Sequence, residues 1–404
     1  MFARQERPAM KWAETAGAPA PAPAGMRPLP RGQSISIATN LQDFAALEGG
    51  WRALEAEGAK SSALFQTYDW LSNWIAVYNP GIAVVTGHHD GRLVFAWPLM
   101  KTEVGPLTVL RWLSEPLAQY GDVLLAGGQD AATWMARGLE AFRGLRGIDS
   151  IRLRHVRDDA VAAPFLAAAF RDARMNEQAP WLDLSQFSGE AAYEARYTSN
   201  QRKRRKKIRK SLEDDFGPVN FELLDGGPLC DATIAAAVAE KCLWLDTRGR
   251  HNRAFCNEDI TRFLQRMARG ADGPARLVAS RLTAGGREVS WEIGFRHRAT
   301  HFGFITAHDN ALTDYSAARL HMDLSQRQAL KDGMTAFDLM VPNDAHKDSW
   351  CSAKAETRDY HLPLTALGRL YGIGYLETAR PLLRRAYYGM PTAMLRALKP
   401  IIGH

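Results

Sequence analysis

Glu292, His308 and Asp309 are the side chains best placed by type and spacing to move a proton. Over Glu288–Phe295 the apolar residues Val289, Trp291, Ile293 and Phe295 alternate with Glu288, Ser290, Glu292 and Gly294, as on a strand with one buried face. A hairpin turning near Arg298–Ala299 sets Glu292 opposite Ile305, with Gly303 and Ala307 nearby and open space above the carboxylate. A partly buried glutamate with a raised pKa can take the proton of an attacking ammonium; a solvated outer strand face has the same pattern. His308 and Asp309 end the next strand, where an imidazole can act as acid or base near neutral pH. Asp309 reads equally as a turn residue before Asn310.

Tyr315 and Ser316 are expected to open a helix directly after that strand. A helix start offers unpaired N–H groups and a partial positive charge to a pyrophosphate, although Ser316 fits a plain cap as well. Asp338 sits between Phe337 and Leu339 in an apolar strand, a costly place unless it is paired. Lys347 is the expected partner, and Trp350 a candidate wall.

Other chemistries find no support. The chain has no P-loop, no Rossmann glycine fingerprint, no G-x-S-x-G elbow and no H-E-x-x-H. The histidines and cysteines do not cluster at zinc spacing, and no metal is expected. With 46% hydrophobic and 24% charged residues in 404, the composition is globular. The longest uncharged apolar run, Val161 to Phe170, is about half of what a spanning helix needs. The four cysteines, Cys230, Cys242, Cys256 and Cys351, form no C-x-x-C pair and read as reduced thiols.

The elements that must position these residues follow from periodicity. Residues 1–33, with the stretch AGAPAPAPAGMRPLP, read as a disordered leader without a secretory h-region. Helices at 68–78, 130–142 and 162–171 alternate with strands at 82–86, 93–99, 107–113, 151–155 and 181–184. The second half is patterned in the same way, with helices at 198–212, 230–245, 258–269 and 315–331 and strands at 219–224, 275–282, 287–295, 301–308 and 336–340. This mixture is α+β (mixed α/β), two similar lobes with mostly antiparallel sheets. The boundaries fall at 34–185 and 186–364, followed by a basic amphipathic helical tail over 365–404.

Three segments in order carry a resemblance. They are Phe65-Gln66-Thr67-Tyr68-Asp69-Trp70-Leu71 with Trp74; Ser199-Asn200-Gln201-Arg202-Lys203 running into a basic helix; and Phe304-Ile305-Thr306-Ala307-His308-Asp309 with Tyr315-Ser316-Ala317-Ala318-Arg319-Leu320. The last continues through Gly333 to Phe337-Asp338-Leu339, His346-Lys347 and Trp350. Together they resemble the GNAT-like acyltransferases of the CelD/BcsL type, from cellulose and exopolysaccharide biosynthesis, and more distantly the Fem-type aminoacyltransferases. The resemblance implies two tandem GNAT-like lobes with the active cleft in or beside the second. It also implies acyl-CoA as co-substrate, with no permanently bound cofactor, held by Tyr315, Ser316, Ala317, Ala318 and Arg319. Acceptor contacts would come from Asn200, Arg202, Trp244, Asp338, Lys347 and Trp350. The glycine-rich pyrophosphate loop is missing, and Ser316-Ala317-Ala318 stands where relatives often read Ser-Pro-Gly, so an acyl carrier protein thioester is an alternative donor.

Charge suggests where the chain works. Of the net +7, Arg202–Lys210 contributes +8 and Arg369 onward +5, while the ordered remainder is acidic. Such fields attract phosphates or anionic lipid, and the C-terminal mix of leucines, tyrosines and arginines suits a membrane interface or packing on the lobe. The expectation is a cytoplasmic N-acyltransferase peripheral to the inner membrane, acting on an amine of a cell-envelope or exopolysaccharide precursor, free or lipid-linked. N-acylation of a lipid amine such as a sphingoid base, a non-catalytic ligand sensor at the membrane, and tRNA as a partner of the basic helix are the alternatives.

Overall fold

The computed structural model describes residues 30–58, 60–248, 255–270 and 273–390. Most of the expected leader and the last part of the expected tail therefore lie outside the described residues. In the first half, β1 (Gln33–Ala38), α1 (Leu41–Ala46), α2 (Glu48–Gly58) and α3 (Tyr68–Tyr78) precede β2 (Gly81–His89), β3 (Arg92–Val104), β4 (Leu107–Trp112) and the short β5 (Leu124–Leu125). Then come α4 (Ala131–Arg143), β6 (Ser150–Arg157), α5 (Ala163–Ala169) and β7 (Arg171–Asp183). The second half runs α6 (Glu190–Ala195), α7 (Ser199–Phe216), β8 (Val219–Leu224), α8 (Gly227–Thr247), α9 (Glu258–Arg269), β9 (Ala275–Ala284), β10 (Arg287–His297) and β11 (Thr300–His308). It ends with α10 (Ala317–Lys331), β12 (Ala336–Asp338), β13 (Ala353–Pro363), α11 (Ala366–Arg369), a π-helical stretch over Leu370–Ala379 and α12 (Arg380–Gly389).

The fold is mixed α/β, and its strands join in one sheet, ordered β1-β2-β3-β4-β6-β13-β7-β12-β11-β10-β9-β8 with β5 on β3. The pairing scheme occurs twice. Antiparallel β1 to β4 meet a parallel β6, and antiparallel β8 to β11 meet a parallel β12. The halves also exchange strands: β13 enters between β6 and β7, while β7 pairs with β12.

One hydrophobic cluster spans both halves. Trp70, from the Phe65–Leu71 segment, stands edge-on to Phe263, Phe295 and Phe304 at 4.9, 5.1 and 5.8 Å, and its indole N–H donates to Ser114 Oγ at 2.8 Å. Burying a side chain of that size contributes roughly 2–3 kcal/mol and ties α3 to the second half. α8 and α9 cover the face of the second-half sheet that shows Trp291, Ile293 and Phe295. α10 covers the other face, through Ala317, Leu320 and the His321–Ser280 hydrogen bond of 2.7 Å.

Two expectations change. Cys242 and Cys256 are joined in a disulfide, because the end of α8 and the approach to α9 bring their Cα atoms to 5.7 Å, a bridging distance. Only Cys230 and Cys351 are free thiols, so cysteine usage no longer argues for a reducing compartment. In the tail, residues 366–380 pack on the sheet. Tyr371 and Leu376 join Leu107, Val109 and Ala173, and Glu377 receives hydrogen bonds from Arg171 at 2.6 Å and lies 2.9 Å from His361 Nε2.

Candidate active site

The parallel pairs are short, and that creates the cleft. β11 pairs with β12 only over Thr300–Phe302, after which the strands diverge. Residues 303–308 then keep β10 on one side and, among the described residues, have no strand on the other. The equivalent divergence of β4 and β6, paired only over Val109 and Leu110, is plugged: Trp112 Nε1 donates to the Arg154 carbonyl at 3.0 Å. Among the described residues no hydrogen bond bridges the second-half splay, between residues 303–308 and 339–343, in this way.

His308 stands where the splay opens. Burial lowers its pKa, Lys241 and Arg248 lower it further, and Glu240 and Asp309 oppose them. The imidazole is therefore neutral at physiological pH, and no hydrogen bond among the described residues engages its ring. His346 faces the same region, and its pKa is also lowered, by burial first and by Lys347, Lys241 and Arg319 next, against Asp344.

At the same end lies the start of α10. A 3-10 turn over Asn310–Tyr315 comes first, and Ser316 then adopts φ 57°, ψ 35°, the left-handed region. That conformation costs a non-glycine residue about 1–2 kcal/mol and turns successive N–H groups toward one point, an anion-binding arrangement. The Ser316 hydroxyl caps nothing, and no backbone carbonyl takes the N–H groups of Ala317 and Ala318.

Residues 199–348 match the family described as Acetyltransferase (GNAT) domain. The protein is an acyltransferase. Its fold is similar to that of FemX, at 11% identity over 82% of this chain and 98% of that one, TM-score 0.55. It is also similar to the C-terminal DUF2156 domain of a lysylphosphatidylglycerol synthetase candidate from Agrobacterium fabrum, at 10% identity over 83% and 96%, TM-score 0.52. No curated protein sequence matches. At these identities the two solved structures speak to the fold.

Within the GNAT domain, several residues named from sequence do other work. Glu292 pairs with Thr306 rather than Ile305, because Phe304 bulges out and shifts the register between Ile293 and Gly294. Its side chain points under α10, 1% exposed, 2.9 Å from His301 Nε2 and beside a cavity of about 10 Å³, room for one water at most. A Cβ at Gly294 would lie 2.6 Å from that imidazole nitrogen, so the packing requires glycine there. Burial resists ionisation of Glu292, but the hydrogen bond with His301 and the adjoining imidazoles outweigh it and lower its pKa. The raised pKa and the open space expected for a base at Glu292 are both absent. We expect Glu292→Gln to lower the thermal midpoint, since it disrupts a buried hydrogen-bonded pair, while turnover at low temperature stays within about threefold of wild type. Kinetics beside a melt check this.

Asp309 closes a turn: its Oδ1 accepts the Ala311 N–H at 2.8 Å and its Oδ2 pairs with Arg287. Tyr315 donates to Asp215 at 2.7 Å and fastens the end of α7 to the approach of α10. Asp338 is held by Tyr120 at 2.7 Å and Arg157 at 3.2 Å, both from the first half, not by Lys347. All three N–H bonds of Lys347 go to the carbonyls of Leu339, Met340 and Pro342, which leaves it no donor for a substrate; burial pushes its pKa down to about 8. Arg202 turns back onto the Tyr197 and Glu194 carbonyls, and Asn200 lies exposed in the first turn of α7. Trp350 is buried against Tyr197 and beneath Arg205.

Trp244 and Arg319 do reach the mouth. Trp244 carries Lys241 and Arg248 on its ring, at 4.6 and 4.3 Å from the centroid, and the Arg319 charge acts on His346. Lys241, Arg248, Asp344 and His346 were missed as site residues. The one signal for the first pair was local: 241, 244 and 248 share a face of α8.

Proposed function

We propose that the protein transfers an acyl group from a thioester, acyl-CoA or an acyl carrier protein, to an amine held in the splay between β11 and residues 339–343. The observation that carries this reading is the neutral, unengaged imidazole of His308 at the mouth of an open strand splay, beside a helix start with unpaired N–H groups. The amine nitrogen attacks the thioester carbonyl, and a nitrogen of His308 takes the ammonium proton. As the intermediate collapses, the carbon–sulfur bond breaks, and the departing thiolate takes the proton back from the His308 imidazolium, which leaves a free thiol and a neutral base. The free edge of residues 303–308 offers N–H groups to the donor chain and to the developing oxyanion. Donor phosphates sit on Ala317 and Ala318 with Arg319 alongside. In this reading the acceptor belongs to a cell-envelope or exopolysaccharide precursor of the CelD/BcsL type.

Donor binding is the direct test. Ala318→Asp puts a negative charge beside the phosphates and should weaken CoA affinity at least about tenfold by calorimetry. Unchanged affinity would remove the carrier from this helix start.

The membrane is the proposed workplace. Lys203, Arg204, Lys206, Lys207 and Lys210 are exposed on α7, while Arg205 and Arg209 turn inward to Asp323 and the Val219 carbonyl. On the outer side of the tail, Leu370 within its packed part and Leu382 and Leu383 beyond it are 69%, 65% and 61% exposed. Among the described residues no helix is long and apolar enough to cross a membrane, so such contact is superficial. Each basic residue near an anionic surface contributes about 1 kcal/mol. We expect co-sedimentation with anionic vesicles that high salt weakens and that Leu382→Ser with Leu383→Ser weakens further. Protein left in the supernatant at low salt contradicts the membrane reading.

A further inference from the structure

Two cations on one indole make an unusual pair. The i, i+3 and i, i+4 spacings place Lys241, Trp244 and Arg248 on one face of α8, with Lys241 Nζ and Arg248 Cζ each within 5 Å of the ring centroid. Cation–π attraction accounts for each contact separately. The two charges also act against each other, since Arg248 adds to the burial that lowers the Lys241 pKa. Among the described residues neither cation has a carboxylate within ion-pair distance. The neighbouring acid on α8, Glu240, is spent on Asn310, whose side-chain N–H donates to it at 2.7 Å. The charges facing Lys241 from other elements are the exposed Asp344, and Lys347 and Arg319 across His346. At Lys241 the exposed Asp344 thus stands against the Arg248 charge, while Glu240 and Asp309 act on His308. Burial lowers the Lys241 pKa, a penalty that a bound anion would relieve.

Position decides what such an anion belongs to. α8 lies on the sheet face opposite α10. The donor phosphates proposed for the α10 start and an anion on α8 thus approach the splay from different sides, and His308 feels the α8 cations directly. From these observations we propose that Lys241 and Arg248, with Trp244 as a platform, form a phosphate subsite for the acceptor, so that the acceptor is an amine carrying a phosphate ester. Two positive charges match a dianionic phosphate, and a guanidinium can grip two of its oxygens. This inference rests on the acyl-transfer reading and names its acceptor class.

The test is calorimetry on the full chain saturated with CoA, using two pairs of probes. Glucosamine 6-phosphate against glucosamine is the soluble pair, and a long-chain amino-alcohol phosphate against its phosphate-free parent, both in neutral micelles, is the lipid pair. In at least one pair the phosphate-bearing member should bind at least about tenfold tighter, a factor within the range of a single charge-assisted hydrogen bond. The pair that discriminates identifies the acceptor as soluble or lipidic. Lys241→Gln with Arg248→Gln should abolish that preference while CoA affinity and the thermal midpoint stay unchanged, and Lys241→Arg should retain it. No discrimination in either pair, or discrimination that survives the double substitution, overturns the proposal. Loss of CoA affinity in the double variant overturns it too, because the cations would then hold the donor. A protein that binds CoA and forms amides without discriminating loses this inference and keeps the acyl-transfer reading.

Discussion

His308→Ala lowers kcat by at least about 100-fold, the lower end of what a positioned base contributes, and leaves the thermal midpoint within about a degree. The second half of that expectation follows from the ring's lack of hydrogen-bond partners: removing it strands no buried donor or acceptor. The pH dependence carries its own sign. The base works only unprotonated, and burial with the Lys241 and Arg248 charges favours the neutral ring. The acid limb of log kcat/KM should therefore fall below the ordinary histidine value of about 6.5, with a plateau through neutrality. Neutralising Lys241 and Arg248 together should move that limb upward. His346→Ala is the control: its ring shares the depressed titration and the mouth but not the strand end. A full loss in His346→Ala with His308→Ala active would transfer the role.

Asp338→Ala should cost about 3 kcal/mol of stability, near the lower end for breaking a buried ion pair. The carboxylate is 6% exposed, and Arg157, which loses its partner, is 11% exposed. Asp338 also accepts the Tyr120 hydroxyl and the Met340 N–H, the latter at 2.7 Å, so the change frees the first residues of one wall of the splay. Arg157 retains Asp159, at 2.9 Å, which limits the loss. Removing Arg157 as well should recover part of it, since no unpaired buried charge then remains. Denaturant midpoints of both single variants and the double close the cycle. A cost under about 1 kcal/mol for Asp338→Ala would show that the two halves are not joined through this pair.

The elements with strong apolar periodicity were legible. β8 and α9 match the periodic reading residue for residue, and β9, β10 and β11 to within two. The strand exchange was not. The first part of β7, Arg171–Pro180, and all of β13, Ala353–Pro363, are built from small and charged residues with few β-branched ones, so neither shows the apolar run of a central strand. They pair with each other and supply the middle of the sheet, and their alanines, Ala173, Ala179 and Ala355, are buried where larger side chains would not be needed to fill space. In the proposed site, His308 could be named in advance because a histidine at a strand end is visible in the sequence. Glu292 was misplaced by one bulge, which no periodicity reveals. The α8 cations were hidden because they look like ordinary solvated charges until the helix is docked against β11.

Amide formation is the claim on which the rest depends. Purified protein incubated with isotope-labelled acyl-CoA and a pool of amines, amino sugars and long-chain amines with and without phosphate, should yield a labelled amide by mass spectrometry. Free CoA should rise in equal amount, and both signals should vanish in His308→Ala. Acyl-CoA that stays intact, or is consumed only to the free acid, in every acceptor pool would contradict the account.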